Sequence, residues 1–345
     1  MFIKSQFTPS SVSTSYEQAS REAFGLNQQA FFLLSADRSD EAIEVLKLAL
    51  QKCPSLALTH HNLGAIYETK RQLDEATVCY LQGLQLDPKA EKTHYNIANI
   101  YRAKGDSKKA VQHLRRVLEI NPRHHSAGYI LAVCQGQTPD RAPPEFVKQL
   151  FDQYSSKFEE SLVQGLNYKT PTLLLSLFND VRSKKFNIES LVDLGCGTGL
   201  SGDAFKAIST KMTGVDISPK MLEQCKAKGI YERLALDDIL SYLRTTEAKF
   251  DLCLSVDALI YFGNLKLIFE GVSRILNPQA YFAFSTEACE GNGLALTKTG
   301  RYAHSYEYVL KSAKNAGFNL VGHSSNEIRI DSDVPVKGDL FVFKK

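Results

Sequence analysis

From Leu33 to Pro122 the chain repeats itself every 34 residues. Pro54, Pro88 and Pro122 share one phase, Ala42, Ala76 and Ala110 a second, and Leu33, Tyr67 and Tyr101 a third. Such a period marks a stacked array, in which each unit buries its apolar face only against its neighbours. Small residues at fixed phase let two helices cross closely, and the proline stops the second helix of each unit. Three units and a closing helix through "HSAGYILAVC" (125–134) fill residues 23–135. Residues 1–22 are rich in Ser and Thr, lack the apolar core of a signal peptide, and read as a disordered tail.

The best-formed unit, "HHNLGAIYETKRQLDEATVCYLQGLQLDPKA", resembles the tetratricopeptide repeat, with Leu63, Gly64, Tyr67, Ala76, Tyr80, Gly83 and Pro88 at its signature positions. That resemblance implies a concave face built from the first helix of each unit. It also implies that Asn62, Asn96 and Asn99 on that face bind a protein or an extended peptide. The net charge of +3 gives no electrostatic case for nucleic acid or membrane surfaces. No stretch is apolar for the roughly 18 residues of a membrane span. Seven scattered cysteines form no CxxC pair, so no metal site is expected and a cytoplasmic location is.

"QGQTPDRAPPEF" then breaks the helical pattern with three prolines, and residues 136–145 read as a stiff linker. Beyond it, from 146 to 345, apolar runs alternate with helical segments. Candidate strands are 190–195, 211–216, 233–236, 250–256, 280–286, 319–324 and 339–344. The fold class is therefore α followed by α/β: helical repeats, then a doubly wound, Rossmann-like sheet. A fragment beginning near Asp140 is expected to carry all of the second unit. Ligands of such sheets sit beyond the carboxyl ends of the strands, where the strand order reverses. The turn in "LVDLGCGTGL" (191–200) ends the first strand and so lies at that place.

Gly197, Gly199 and Gly202 satisfy GxGxxG, which alone is weak evidence for a dinucleotide. Asp193, just ahead of the turn, opposes a pyrophosphate and favours a ligand with an ammonium and a sulfonium. "DLGCGTG" resembles the first motif of class I S-adenosylmethionine-dependent methyltransferases, with Asp193, Gly195, Gly197 and Gly199 in register. The resemblance implies S-adenosylmethionine as cofactor. Asp216, followed by Ile217, would take the ribose hydroxyls, and Asp238 and Ile239 would meet the adenine, with Asp237 competing. Met221 would pack on the ring, Ser255 would line the sulfonium, and Tyr154 would close over the methionine. Gln279 and Ala280 stand where such enzymes have two glycines. The arrangement from 23 to 345 resembles a bacterial subgroup that joins tetratricopeptide repeats to this catalytic domain.

"SVDALIYF" at the fourth strand's end lacks the proline pair of nucleobase amino-methyltransferases, and Cys253 lies inside the strand. A small-molecule or protein acceptor remains. A hydroxyl or amine acceptor has to lose a proton. Asp257 and His304 are candidate bases; Tyr261, Glu287, Arg301 and Tyr302 are candidates for the acceptor pocket. Two other readings stay open: an inactive methyltransferase fold serving as a repeat scaffold, and a dinucleotide-dependent oxidoreductase.

Overall fold

The structure is a computed structural model describing residues 14–155, 159, 168–297, 299–331 and 334–345. The chain divides into two compact units between Cys134 and Gln135. Among the described residues no helix is long and apolar enough to cross a membrane.

The described residues of the first unit form seven helices: α1 (Thr14–Ser35), α2 (Ser39–Lys52), α3 (Ala57–Thr69), α4 (Leu73–Leu86), α5 (Glu91–Ala103), α6 (Ser107–Ile120) and α7 (His125–Cys134). Residues 14–22, read from sequence as part of a tail, are the first turns of α1; Ala23 within it is fully buried against Ala49 and Cys53. An apolar anchor on the array extends the helix backwards through a polar stretch. Residues 1–13 lie outside the described part. The fixed-phase residues act as their sizes demand. Ala42, Ala76 and Ala110 are fully buried, and a Cβ on Gly64 would stand 2.7 Å from the Tyr80 ring. The period also governs backbone conformation. Asp37, Arg71 and Gly105, 34 apart, take positive φ of 58°, 61° and 78° in the turn inside each unit. Only the third is the residue type that adopts this region without cost.

The expected peptide-binding asparagines are partly committed to the array itself. The Asn62 amide donates to Asn27 Oδ1 at 2.7 Å, and Asn27 donates to Thr59 Oγ1 at 2.7 Å. Asn96 donates to the Tyr80 hydroxyl at 2.9 Å, which donates to Glu68. His61 pairs with Thr93 at 2.8 Å. Burial holds His61 at a pKa of about 4, so the bond is one between neutral groups. Asn99 keeps a buried carbonyl oxygen without a partner among the described residues.

The second unit begins with α8 (Pro144–Tyr154) and α9 (Thr170–Val181). Its strands are β1 (Ser190–Leu194), β2 (Lys211–Asp216), β3 (Arg233–Leu236), β4 (Phe250–Ser255), β5 (Leu276–Ala288), β6 (Leu294–Leu296), β7 (Tyr302–His304), β8 (Asn319–Asp331) and β9 (Val334–Lys344). Between them lie α10 (Leu200–Phe205), α11 (Pro219–Ala227), α12 (Ile239–Thr245), α13 (Lys266–Ile275) and α14 (Tyr306–Asn315). The sheet runs β3-β2-β1-β4-β5, and β9 lies antiparallel between β5 and β8. Leu191, Leu252, Leu254, Tyr281 and Val342 on the central strands pack with Leu174 and Phe178 of α9. The order reverses between β1 and β4, so the glycine turn does sit at the switch point. Sequence reading missed β6 and β7, each of three residues and too short to show alternation. Gln279, which stands where the resemblance implies a glycine, takes φ 64° where the β4–β5 register shifts.

The expected linker is not free. The Tyr302 hydroxyl donates to Pro139 O at 2.7 Å, Gly263 and Asn264 N–H donate to Asp140 O at 2.8 and 2.9 Å, and Ala142 N–H donates to Tyr261 O at 2.8 Å. Arg141 forms a β-bridge with Phe262. Prolines that break helices also suit an extended strand-like segment, and here the carbonyls of Pro139 and Asp140 and the Ala142 N–H fasten residues 139–142 to the second unit.

Two outcomes follow for stability. A fragment starting at Gln135 should unfold cooperatively, whereas one starting at Ala142 loses three carbonyl–donor bonds and should be about 2–4 kcal/mol less stable; equal denaturant midpoints would mean that the segment is not fastened. Gly105 has nothing within 4 Å of an added Cβ, so Gly105→Ala tests backbone conformation alone. It should cost about 1 kcal/mol, and an unchanged melting temperature would contradict the left-handed turn.

Candidate functional site

The site is built at the ends of β1 and β2. Gly195 and Cys196 N–H both donate to Val215 O, at 2.8 and 3.0 Å, which folds the chain back over β2 as it leaves β1. Gly195, Gly197 and Gly199 take φ of 80°, 53° and 91°. At Gly195 the requirement is steric as well: a Cβ would lie 2.4 Å from the Ala258 Cβ. Asp216 ends β2 and reaches across. Its Oδ2 accepts from Gly197 N–H at 2.9 Å, and its Oδ1 from Ser218 N–H at 2.8 Å. Burial raises its pKa to about 6, against the lowering by these N–H groups. Each carboxylate oxygen has a second lone pair, so Asp216 can accept further bonds from a ligand.

A pocket of about 1150 Å³, its open mouth included, lies over this turn. Its wall takes Gly195, Gly197, Thr198, Asp216, Ile217, Asp237, Asp238, Ile239, Asp257 and Tyr261 among the expected residues and their neighbours. Thr198 is buried, and its hydroxyl has no partner among the described residues. A polarised turn, an unsatisfied buried hydroxyl and an acceptor carboxylate held by backbone N–H groups fit a ligand carrying a hydroxylated ribose and an amino-acid portion.

Several expected residues are placed elsewhere. Asp193 is fully buried beneath the turn, outside the wall. Its Oδ2 accepts from Ser201 at 2.8 Å and Tyr231 at 2.5 Å, while Oδ1 has no partner among the described residues, and burial pushes its pKa up. It braces the turn rather than meeting a ligand. Gly199 is the left-handed cap of α10, packed on Cys225 and Tyr231. Met221 is fully buried in the first turn of α11, in the core. Ser255 is spent on Leu194 O at 3.0 Å and tethers β4 to β1. His304 is fully buried, with Nε2 directed at Phe262 O and Gly263 O, and burial holds its pKa at about 4. Enclosed away from the wall, it cannot serve as the base. Tyr302 is occupied by Pro139. Tyr154 ends α8, and its side chain lies outside the described residues.

Asp238 lines the wall, yet both its oxygens already meet the Arg141 guanidinium, at 3.2 and 3.0 Å, and Oδ2 accepts from Ser241 N–H. The segment read as a linker thus supplies Arg141 as a brace and Ala142 and Pro144 as wall. Sequence reading missed these, because a proline-rich run gives no signal of docking.

Beyond the turn, Asp257 follows β4 with φ 54°. One serine holds it there: Ser285 Oγ accepts from Asp257 N–H and donates to its Oδ1, both at 2.8 Å. The Tyr168 hydroxyl also bonds to this carboxylate. Such a conformation in a non-glycine residue persists only where neighbours impose it, and it commonly marks a functional position. Tyr261 is buried, its phenol pKa raised by burial, so it stays protonated near neutrality. Arg301 and Arg329 complete this end of the wall. Arg329 was not legible in sequence, since β8 brings it in from far along the chain.

Residues 192–284 match the model of a family described as methyltransferase domain, and residues 57–90 and 91–124 match two tetratricopeptide repeat models. Human methyltransferase-like protein 27 is 32% identical over 120 residues, covering 34% of this chain and 49% of that protein. A malonyl-[acyl-carrier protein] O-methyltransferase of Hamiltonella defensa subsp. Acyrthosiphon pisum (strain 5AT) is 30% identical over 142 residues, covering 41% and 52%. The chain spans about half the length of these two curated relatives. Among solved structures, the N-methyltransferase NodS from Bradyrhizobium japonicum WM9 with bound S-adenosyl-l-homocysteine shares 17% identity at a TM-score of 0.41, over 51% of this chain and 85% of that one. Residues 57–124 are tetratricopeptide repeats, and residues 192–284 are a methyltransferase domain.

Proposed function

We propose that the α/β unit transfers a methyl group to a small-molecule or protein acceptor, and that the repeats hold a protein or peptide partner. The observation that carries the catalytic reading is Asp216, a buried carboxylate fixed by two backbone N–H groups at the pocket wall. S-adenosylmethionine, when bound, supplies an electrophilic methyl on a sulfonium. Asp216 would accept from the ribose hydroxyls, with Ile217 beside it. Gly195, Gly197 and Thr198 would receive the methionine portion, and Asp237 and Ile239 the adenine. Asp238 is the weaker choice for the adenine amino group, because Arg141 already occupies it.

What remains for the protein is alignment, exclusion of water and management of one proton. We assign the proton to Asp257, which lies in the wall, on strained backbone, fixed by Ser285. Tyr261, held as a phenol, would orient the acceptor. The seven free cysteines agree with a reducing, cytoplasmic setting. For the repeats, Asn62, Asn96 and Asn99 remain half-exposed, and they are the polar groups we assign to a partner's backbone.

Incubation with methyl-labelled S-adenosylmethionine and cell extract, followed by separation into protein, RNA and small molecules, should place label in protein or small molecules; label in RNA alone would contradict the acceptor class. Asp216→Ala should weaken S-adenosylhomocysteine binding by about 1–3 kcal/mol, since the ribose loses a charged acceptor. The pH dependence has a definite sign. A ligand that needs ionised Asp216 must displace a proton below its free pKa of about 6. Affinity should therefore be level above that pH and fall below it by up to about tenfold per unit. Calorimetry from pH 8 to 5 that shows no such fall, or unchanged binding in the variant, would remove Asp216 from the site.

A further inference from the structure

The repeat units stack through one face, and the 34-residue period presents that face three times. Thr59, Leu63 and Ile66 of α3 are buried, and so, one period on, are Thr93, Ile97 and Ile100 of α5. Each set is covered by the unit before it. Ile66 packs with Ala42, Ile43 and Leu46 of α2, and Thr59 accepts from Asn27 of α1. Ile100 packs with Ala76 and Tyr80 of α4, and Thr93 pairs with His61 of α3. One period earlier, the same face of α1 carries Gly25, Gln29 and Phe32. All three are exposed, Phe32 at 72% where Ile66 and Ile100 are each at 2%. Among the described residues no unit stands before α1 to cover them. The outer face of a terminal repeat is polar when it meets water. Gln29 obeys that rule and Phe32 does not.

The face is complementary to itself. Gly25 and Phe32 are seven residues apart, so they lie on one side of α1, about 10 Å from each other along its axis. Phe32 projects, whereas a Cβ added to Gly25 would meet nothing within 4 Å. When a second α1 is turned end for end about an axis between Gln28 and Gln29, each Phe32 lies over the other copy's Gly25. The glutamine amides nearest the axis can donate to and accept from one another. Farther out, the exposed Arg21 reaches the second copy's exposed Asp37 and the C-terminal end of its α1, both of which attract a cation. A two-fold axis makes each of these contacts twice. A foreign helix would need a gap, an apolar knob and two opposite charges at the same spacing; a second copy carries all of them.

We propose that the chain forms a two-fold dimer through antiparallel packing of α1 on α1, with Phe32 of each copy seated on Gly25 of the other.

A contact of this size should dissociate with a constant on the order of 10 μM. Sedimentation velocity on the full chain, from about a tenth to about ten times that concentration, should show monomer passing into dimer. Phe32→Asp removes the knob and Gly25→Leu fills the gap, each twice per dimer, and each should weaken association at least about tenfold. Phe32 is exposed and leucine is a better helix former than glycine, so both variants should keep the helical dichroism and melting temperature of the parent. The charges test the two-fold itself. Arg21→Asp alone and Asp37→Arg alone should each dimerise more weakly, while an equimolar mixture of the two restores both ion pairs and should dimerise as the parent does. The turn tolerates Asp37→Arg, because Arg71 already holds the same phase at φ 61°. Monomer at every concentration, with the face bare or filled by another segment or partner, would overturn the proposal. So would a dimer left unchanged by Phe32→Asp or Gly25→Leu, or a mixture that dimerises no better than its two components.

Discussion

One carboxylate ties the catalytic unit together. Asp216 ends β2, accepts from a backbone N–H in the turn after β1, and accepts a second from the residue that caps α11. Remove those bonds and three features separate: the glycine turn, the entry of α11 and the pocket wall between them. The same carboxylate is buried at real electrostatic cost, which is why its pKa sits near 6 rather than in the ordinary range. A group kept under that penalty and facing a pocket is poised for a ligand whose donors relieve it. Beneath it, Asp193 plays a related part out of contact with the pocket, pinning the turn through Ser201 and Tyr231.

The same logic separates what was legible in the sequence from what was not. The 34-residue period was readable because close packing forces residue size at each phase, and the strands of the parallel sheet because burial on both faces forces apolar runs. The glycine turn and Asp216 were readable because backbone conformation and charge allow few residue types there. Roles that depend on which way a side chain points were not. Met221 and Ser255 sit close to pocket residues in sequence yet face the core. His304 looked like a base by type alone, and a fully buried setting makes it a scaffold residue. Long-range pairings were invisible: Arg329 with Glu287, and Arg141 with Asp238, join positions 42 and 97 residues apart.

The proline-rich segment is the instructive failure. Its composition suits a stiff connector, and the same stiffness suits an edge segment held by backbone bonds. Residues 139–142 give their carbonyl and N–H groups to Tyr302, Gly263, Asn264 and Tyr261, and so place Arg141 against Asp238. A segment that joins two units therefore also forms part of the pocket of one. In the repeats, two of the asparagines singled out for a partner, Asn62 and Asn96, also bond one helix to another.

The central claim is that the turn after β1 and the carboxylate of Asp216 receive a nucleoside-bearing cofactor. A crystal structure of the full chain with S-adenosylhomocysteine tests it directly. The account predicts ribose hydroxyls on the Asp216 carboxylate, the amino-acid portion over Gly195–Thr198, and the sulfur facing the Asp257 end of the pocket. Ligand bound with its ribose away from Asp216, or with its sulfur turned from Asp257, would contradict it.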